Sequence, residues 1–470
     1  MSSQDAPPPL LDLLSARLLA PVDAPAQRRA ALLVLDWLGC ALGARRLPLA
    51  AQLRTVCAQQ AAGPCSSLGA GRREPGAALL LNAALGNGLE MDDVDRGAIL
   101  HPGPVVIPVA LAAAQLRGAD AGALLAAVVR GYEATIRIGR SLGRGHYRYW
   151  HPTSTAGAFG AAVAAASVFG LDASALADAM GTAGSRTGGL WQMRHEPVPT
   201  KSLHNSEAAR SGLIAALLAQ AGIPGPRRVL EGPQGLYAAT APDAAPELIL
   251  RDAPDWLIHT TSLKPWAACR HAHPAIDALR LLRPFDPVRV AAIEVATYGE
   301  ALQFCDRLEP ATEAEARFSL QHALASVALH GDPAPHHFSA AALHGSGLAA
   351  LRAKVRLRLD PALDAAFPRH YGARVRLTML DGSVREQTCL DAWGDPEWPM
   401  LESDVRSKAH ALAAWGGVPA DAAGLGFDAA LALADGGGLD TFVAAFDALG
   451  QCADDEGEGC APDQARIAAR

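Results

Sequence analysis

The sequence is poor in aromatic and charged residues and has no excess of positive charge. Of its 470 residues, 5% are aromatic and 19% are charged, half are hydrophobic, and the formal net charge is −7. The missing basic excess argues against a general nucleic-acid partner. No uninterrupted apolar run approaches the roughly 18 residues that a membrane-spanning helix needs. We therefore predict a globular protein, rich in alanine and hence in helices, with neither a nucleic-acid nor a membrane partner.

Signals for secretion and for metal binding are also missing. The first segment, MSSQDAPPPLLDLL, has no positive region followed by an apolar stretch and a cleavage site, so we expect a cytoplasmic location. The eight cysteines form no Cys-x-x-Cys pair, and their spacing fits neither a zinc site nor an iron–sulfur cluster. We expect reduced, mostly buried thiols, no metal and no cofactor.

The periodicity of the apolar residues divides the chain into three parts. Residues 1–265 contain one apolar stretch of helical length after another, with glycine and proline at the joins. Near residue 286 the pattern changes to alternating or β-branched runs, and Asp381-Gly382 between two such runs indicates a hairpin. We predict a smaller α+β unit at 266–395, inserted into a helical protein that resumes at 396–470 and ends in a disordered tail from about 452.

The first candidate site is an acidic segment, LEMDDVDRGAILHPGP. It places Glu90, Asp92, Asp93 and Asp95 within six residues, and His101 follows. Carboxylates this close repel one another unless they are solvated, paired or bound to a ligand. The segment is either an exposed acidic loop or a place where one carboxylate carries a proton beside His101. A metal site has weaker support, because it rests on a run of carboxylates alone.

Two further segments place polar side chains at the start of a helix of small residues. In HYRYWHPTSTAGAFGAA these are His151, Thr153 and Ser154, and in PTKSLHNSEAARSG they are Lys201 and His204. The free amides of a helix N-terminus favour an anion such as a carboxylate, and a nearby lysine adds charge. The alternative is an ordinary capped helix start with a surface lysine.

The densest basic patch is SLKPWAACRHAHPAIDAL, which contains Lys264, Cys269, Arg270, His271 and His273. Arginine offers a bidentate fork to a carboxylate, and lysine offers a point charge. His271 and His273 are two residues apart and would face apart on a helix, so they are a poor metal-chelating pair. The patch predicts carboxylate binding.

In their order along the chain, these segments resemble the MmgE/PrpD family, which includes cofactor-free 2-methylcitrate dehydratases, cis-aconitate decarboxylase and iminodisuccinate epimerase. The matching segments are LEMDDVDRGAILHPG, WHPTSTAGAFGAA, KSLHNSEAARSG, SLKPWAACRHAHPAIDA, RFSLQHALA and GDPEWPM. The resemblance implies a mainly α fold, in which both chain ends form a large all-helical domain and an α+β lid is inserted at about 266–395. It also implies an active site between the two and a homodimer.

The resemblance further implies which residues form the site. His101, His151, Lys201 and Lys264 match site residues of the family, and Glu90 stands where the family usually has an aspartate. These five are the predicted catalytic residues. The predicted substrate-binding residues are Asp93, Thr153, Ser154, His204, Cys269, Arg270, His273 and His322.

Four positions depart from the family pattern. Val94 replaces a threonine, Asp95 a histidine and His322 a tyrosine, and Cys269 stands where the decarboxylase has a histidine. These changes alter the donors that would contact a substrate hydroxyl or carboxylate. The pocket is therefore expected to serve a different acid from those of known members.

The leading functional prediction is a cofactor-independent hydro-lyase acting on a 2-methylcitrate-like di- or tricarboxylate. Lys201 and Lys264 would hold carboxylates, and one of His101, His151 or Glu90 would abstract a proton. The same groups could serve an epimerase of an iminodisuccinate-like dicarboxylate or a cis-aconitate-type decarboxylase. A non-catalytic carboxylate-binding protein is the alternative from a different class.

Overall fold

The computed structural model describes residues 7–196 and 198–455, with side chains as far as residue 451. Most of the predicted C-terminal tail therefore lies outside the described residues. Helices dominate the part before residue 265. They are α1 (Leu10–Leu18), α2 (Ala24–Gly43), α3 (Pro48–Ala58), α4 (Pro75–Asn87), α5 (Gly103–Arg117), α6 (Ala121–Ser141), α7 (Gly143–Tyr147), α8 (Pro152–Val168), α9 (Ala173–Gly184), α10 (Thr200–Gln220) and α11 (Leu236–Thr240).

Helix α8 lies at the centre of this helical part. It packs against α5, α6, α9 and α10, and its residues from Pro152 to Ala166 are buried. Small side chains allow these close contacts, since a Cβ at Gly212 of α10 would lie 2.3 Å from Ala161 Cβ of α8. A helix that is buried on all sides needs apolar side chains all round, and α8 has them beyond its polar first turn. Its rigid N-terminal end holds His151, the residue immediately before it.

The second part contains the main sheet and shorter helices. Strand β3 (Val290–Thr297) pairs in parallel with β4 (Val355–Leu359) and antiparallel with β5 (Ala373–Met379), which pairs with β6 (Val384–Cys389). Gly382, at a φ of 82°, forms the predicted hairpin between β5 and β6. The helices are α12 (His273–Leu281), α13 (Gly299–Cys305), α14 (Glu313–Arg317), α15 (Leu320–His330), α16 (Ala340–Leu343), α17 (Ser346–Arg352) and α18 (Pro361–Ala366), of which α12 packs on β5 and β6.

The chain then returns to the helical part through α19 (Glu402–Trp415), α20 (Ala420–Ala432) and α21 (Leu439–Asp455). Helices α19 and α2 approach closely, because a Cβ at Gly39 would lie only 2.8 Å from Ala409. The predicted fold class, mainly helical with a smaller α+β unit, is confirmed. The helical part is not purely helical, however, since strands β1 (Ala62–Ser67) and β2 (Gly71–Arg73) form a hairpin between α3 and α4. Among the described residues, no helix combines the length and the apolar character needed to cross a membrane.

A buried ion pair fastens α19 to the rest of the helical part. The Lys408 ammonium donates to Asp36 Oδ1 of α2 at 2.6 Å and to the backbone carbonyl of Met91 at 2.5 Å. Both charged side chains are almost completely buried. Because Met91 precedes Asp92, this lysine connects both chain ends to the acidic segment.

A second buried carboxyl group, Asp93, supports the start of α5. Its Oδ1 accepts a hydrogen bond from the Gly103 backbone N–H at 3.1 Å. Burial, followed by the charges of Asp92 and Asp36, raises the pKa of Asp93 to about 7, despite the opposing contributions of Tyr132 and Arg29. Asp93 is therefore a structural carboxyl group that is largely protonated at mildly acidic pH.

We expect Lys408→Met to lower the free energy of unfolding by about 3–5 kcal/mol, because it leaves the Asp36 carboxylate buried without its counter-ion. Chemical unfolding followed by circular dichroism measures this loss, and the double variant Asp36→Leu/Lys408→Met should recover most of it. The control is Arg406→Met on the same helix, whose partners Glu402 and Asp428 are exposed. That control should cost at most about 1 kcal/mol. Equal losses in the two single variants would contradict the prediction.

We expect Asp93→Asn to become more stable relative to the wild type as the pH rises from 5 to 8. Because the pKa of Asp93 is raised, the folded wild type keeps a proton that the unfolded chain releases near pH 4. The free energy of unfolding of the wild type therefore falls as the pH rises from there to about 7. An asparagine keeps the acceptor for Gly103 and does not ionise. Melting temperatures of both proteins across this range test the prediction, and a constant difference between them would contradict it.

Candidate active site

A small pocket lies where the helical part meets the α+β part. Its volume is about 40 Å³. The residues that line it come from segments far apart in the chain: Glu90, Val94, Ile99, His101, Tyr147, His151, Trp191, Lys201, Cys269, Arg270, His271, Phe304, Phe318 and Tyr371. Of the predicted catalytic residues, Glu90, His101, His151 and Lys201 line the pocket, and Lys264 lies immediately behind it.

The backbone of the acidic segment is strained at this pocket. Among the non-glycine residues that the structure describes, Glu90 and Ile99 have positive φ angles, of 58° and 52°. Both line the pocket. Such a conformation costs of order 1–3 kcal/mol and persists where the surrounding structure imposes it, which is common at functional sites. The Glu90 side chain lies against two lysines, Lys201 and Lys264.

Two lysines and two carboxylates form a buried charge network at the pocket. Lys201 Nζ donates to Glu90 Oε1 at 2.5 Å, and Lys264 Nζ lies 3.7 Å from Glu90 Oε2 and 3.3 Å from Asp92 Oδ1. Burial alone would raise the pKa of Glu90, but the charges of Lys201 and Lys264 hold it below its usual value. The pKa of Asp92 is also lowered, because His101 and Lys264 outweigh its burial. Both carboxylates are therefore ionised.

His101 is held by this network. Its Nδ1 lies 2.8 Å from Asp92 Oδ2, and its backbone N–H donates to Thr153 Oγ1 at 3.0 Å. Burial, reinforced by the charges of Lys264 and Lys201, lowers the pKa of His101 although Asp92 opposes this. The result is a neutral imidazole with a carboxylate behind it, which can accept a proton and whose imidazolium form Asp92 would stabilise.

His151 faces the same pocket from the N-terminal end of α8. Its Nδ1 lies 3.1 Å from Nδ1 of His204, and its ring tilts against Trp191 with centroids 4.5 Å apart. Its Nε2 is buried and has no hydrogen-bond partner among the described residues. Burial, followed by the charge of Lys201, holds the pKa of His151 well below the usual value. A buried polar atom without a partner indicates a ligand-binding role.

Arg270 supplies a second cation to the pocket. Its Nη2 pairs with the buried carboxylate of Asp395, and its guanidinium lies over the Tyr371 ring at 5.1 Å from the centroid. Its Nη1 is buried and has no partner among the described residues. Arg270 is thus fixed on one side and free on the other, which suits a carboxylate ligand.

Aromatic side chains close the pocket on the side of the α+β part. Tyr147 stacks on Phe304 with centroids 5.4 Å apart and meets the edge of Trp191 at 5.7 Å. His271 stacks on Tyr371 at 5.5 Å. These rings give the pocket an apolar wall, and a low local dielectric strengthens the charge interactions beside it.

Several predicted substrate-binding residues lie outside the pocket lining. Thr153 acts through the His101 backbone, Asp93 supports α5, and Ser154 and His204 lie behind His151 at a neighbouring cavity. His273 and His322 also lie outside the lining, and their substrate-binding roles stay predictions. Nε2 of His273 is 3.0 Å from the Ala268 carbonyl, and Nε2 of His322 is 2.8 Å from the His337 carbonyl. Both rings are therefore committed to backbone contacts.

The structure also adds residues that the sequence prediction left out. Asp92 and Tyr147 lie in the segments singled out above, but neither received a role. His271 follows Arg270, and a 3₁₀ turn over Arg270–Ala272 directs it to the pocket instead of away from it. Phe318 lies in the matching segment RFSLQHALA but received no role, and Phe304 and Tyr371 lie in none of the segments singled out above.

One group of side chains has the composition of a metal site. His370, Asp391 and Glu397 place ligand atoms close together outside the pocket. Arg96, however, donates to Asp391 at 2.7 Å and to Glu397 at 2.6 Å. The arginine therefore already supplies the positive charge that balances these two carboxylates. Its charge opposes the binding of a metal ion at the same carboxylates.

Comparison with known proteins agrees with the fold. The model of the MmgE/PrpD N-terminal domain matches residues 16–249, and that of the MmgE/PrpD C-terminal domain matches residues 266–424. The cis-aconitate decarboxylase-like protein oryM of Aspergillus oryzae is 27% identical over 84% of this chain and 88% of its own length. The cis-aconitate decarboxylase of Homo sapiens is 27% identical over 73% of this chain and 74% of its own. The cis-aconitate decarboxylase of Aspergillus terreus is 28% identical over 54% of this chain and 55% of its own length. The two domain models together match most of the chain, which therefore belongs to the MmgE/PrpD family.

Proposed function

We propose that this protein is a cofactor-independent hydro-lyase that eliminates water from a small hydroxy di- or tricarboxylate, such as a 2-methylcitrate-like acid. The observation that supports this most is the pair of imidazoles at one pocket, each held through Nδ1 by a different partner. Elimination of water needs a base at the carbon and an acid at the leaving hydroxyl, so it needs two proton carriers. Decarboxylation needs only one, to protonate the carbon.

The cations of the pocket would bind the substrate carboxylates. Lys201 and Arg270 line the pocket, and Lys201 Nζ and Arg270 Nη1, which has no partner among the described residues, would donate to two carboxylate groups. Lys264 lies behind the pocket and would act on the substrate indirectly, because it neutralises the charges of Glu90 and Asp92. Fixed cations also stabilise the negative charge that develops on a carboxylate when the neighbouring proton leaves.

The two histidines would divide the proton transfers. His101 would abstract the proton next to a carboxylate, because Asp92 lies behind it and stabilises the imidazolium that forms. His151 would donate from Nε2 to the leaving hydroxyl, because no carboxylate of the described residues is bonded to its ring to stabilise a charged form. The hydrogen from carbon then resides on His101, and the hydroxyl leaves as water.

A carboxy-lyase activity is the second candidate, because the curated relatives are named cis-aconitate decarboxylase or decarboxylase-like. Identities of 27–28% support the family more strongly than the reaction. Cys269 lines the pocket. It stands where the cis-aconitate decarboxylase of the family has a histidine. An epimerase of a dicarboxylate remains a third outcome. The homodimer implied by the family resemblance also stays a prediction.

An assay in deuterated water separates these reactions. The protein is incubated with 2-methylcitrate, citrate, cis-aconitate and a chiral dicarboxylate, and alkene absorbance, carbon dioxide and deuterium at carbon are measured together. We expect alkene formation without carbon dioxide from a hydroxy acid. Carbon dioxide release would favour the carboxy-lyase, deuterium exchange without alkene the epimerase, and binding without turnover a carboxylate-binding protein.

We expect Lys201→Met to lower the rate of this reaction by at least about 10²-fold, because a cation that binds a substrate carboxylate is lost. The melting temperature should also fall, because Glu90 then keeps only Lys264, at 3.7 Å, so the rates are compared at a temperature at which the variant is folded. The matched control is Arg210→Met, on the exposed face of the same helix, where the arginine pairs with Glu207. The control should keep wild-type kinetics. Full activity of Lys201→Met would show that the binding site is elsewhere.

A further inference from the structure

The contact between His151 and His204 joins two nitrogen atoms of the same kind. The two Nδ1 atoms are 3.1 Å apart, and the ring centroids are 5.3 Å apart. His151 is buried, and His204 is partly exposed. A hydrogen bond between two Nδ1 atoms requires one proton between them, so one ring donates and the other accepts. The position of that proton decides whether His151 Nε2 carries a hydrogen or a lone pair.

The two rings face different spaces. His151 lines the small pocket, whereas His204 lines a neighbouring cavity of about 640 Å³ that Arg186, Gln192, Glu196 and Glu207 also border. The pair therefore spans the wall between an enclosed pocket and a much larger cavity. The backbone keeps it in place, since the His151 N–H donates to the Gly189 carbonyl at 2.8 Å and Ser154 Oγ donates to the His204 carbonyl at 3.4 Å.

We propose that His204 is a proton-relay residue, which exchanges protons between His151 and the larger cavity and so lets His151 act while its ring stays neutral. This inference rests on the proposed function, in which His151 donates to the leaving hydroxyl. When His151 Nε2–H gives its proton to the hydroxyl, His204 Nδ1–H passes its proton to His151 Nδ1. His204 Nε2 then takes a proton from a water molecule in the cavity, and the hydroxide ion left in solvent is neutralised when His101 releases the proton that it took from carbon. One proton enters the pair, one leaves it, and neither ring keeps a net charge.

The charges around the pair explain why a relay is needed. A neutral imidazole is a very weak acid at Nε2 unless its Nδ1 is protonated at the same time. A doubly protonated His151 would be costly, because the ring is buried and the charges of Lys201 and His101 lie nearby. Asp92 is the carboxylate that favours the charged form of His151, and it does not outweigh them. Burial and the charge of Lys201 likewise lower the pKa of His204. His101 differs, because Asp92 in direct contact stabilises its charged form.

Variants at His204 separate a relay from simple positioning. Glutamine can still hydrogen-bond to His151 Nδ1, but its amide does not readily accept one proton and release another. We expect both His204→Gln and His204→Ala to lower kcat about 10²-fold, the lower end of the effect of one acid–base group, with KM changed less than about threefold. Added imidazole should restore the alanine variant in a saturable way, because the larger cavity admits it. Imidazole should not restore His204→Gln, because the glutamine side chain occupies the space that imidazole would need.

The control is Gln192→Ala, which lies at the same cavity and does not contact His151. It should keep wild-type kinetics and show no response to imidazole. Wild-type kcat in His204→Gln would overturn the relay and leave His204 a positioning role. Failure of imidazole to restore a folded His204→Ala would also overturn it.

A second measurement does not depend on turnover and separates this inference from the proposed function. Nitrogen-15 NMR of histidine-labelled protein, assigned with the same variants, reports which nitrogen of each ring carries hydrogen. We expect neutral His151 and His204 with one protonated Nδ1 between them, and a changed His151 tautomer in His204→Ala. Unchanged His151 resonances in that variant would overturn the inference even if the protein is an active lyase. A shared Nδ1 proton in a protein without lyase activity would instead contradict the proposed reaction alone.

Discussion

Ionised groups that are removed from water need partners, and this constraint shapes the centre of the protein. Glu90 and Asp92 are buried carboxylates, and each is stable as an anion because Lys201 or Lys264 lies against it. These lysines come from α10 and from the segment immediately before the α+β part, so the charges cannot be neutralised until three distant segments have met. Breaking such a network by removing one member is costly, whereas leaving it intact fixes the relative positions of the segments. The strained φ angle of Glu90 is maintained by the same contacts.

The two histidines of the pocket differ in the partner behind them. His101 has a carboxylate at its Nδ1, and His151 has another imidazole. A carboxylate favours the charged form of the ring, whereas a neutral imidazole allows a proton to pass without charge accumulating. Two rings of the same chemical type thus acquire different capacities for proton transfer from their surroundings, which is the usual way in which one pocket accommodates both an acid and a base.

The α+β part contributes the walls of the pocket more than its charges. Phe304, Phe318 and Tyr371 come from three separate stretches of that part and meet Tyr147 and Trp191 of the helical part across the pocket. Arg270 is the exception, and it is held by Asp395, at the end of the same part. Enclosure by rings makes the fixed charges more effective, because little water remains to screen them.

The helical and strand periodicities, the hairpin at Asp381-Gly382 and the polar helix starts at His151 and Lys201 were determined by the sequence itself, because they depend on neighbours a few residues away. Matching motifs also indicated the family and, through it, the segments that form the pocket. Tertiary structure decided which side of each segment faces the pocket. His271 turns in because of a 3₁₀ turn, whereas His273 and His322 turn to backbone carbonyls. The aromatic wall and the contact of His204 with His151 were likewise invisible in the sequence, since they arise only when residues far apart in the chain pack together, as Tyr147 does with Phe304.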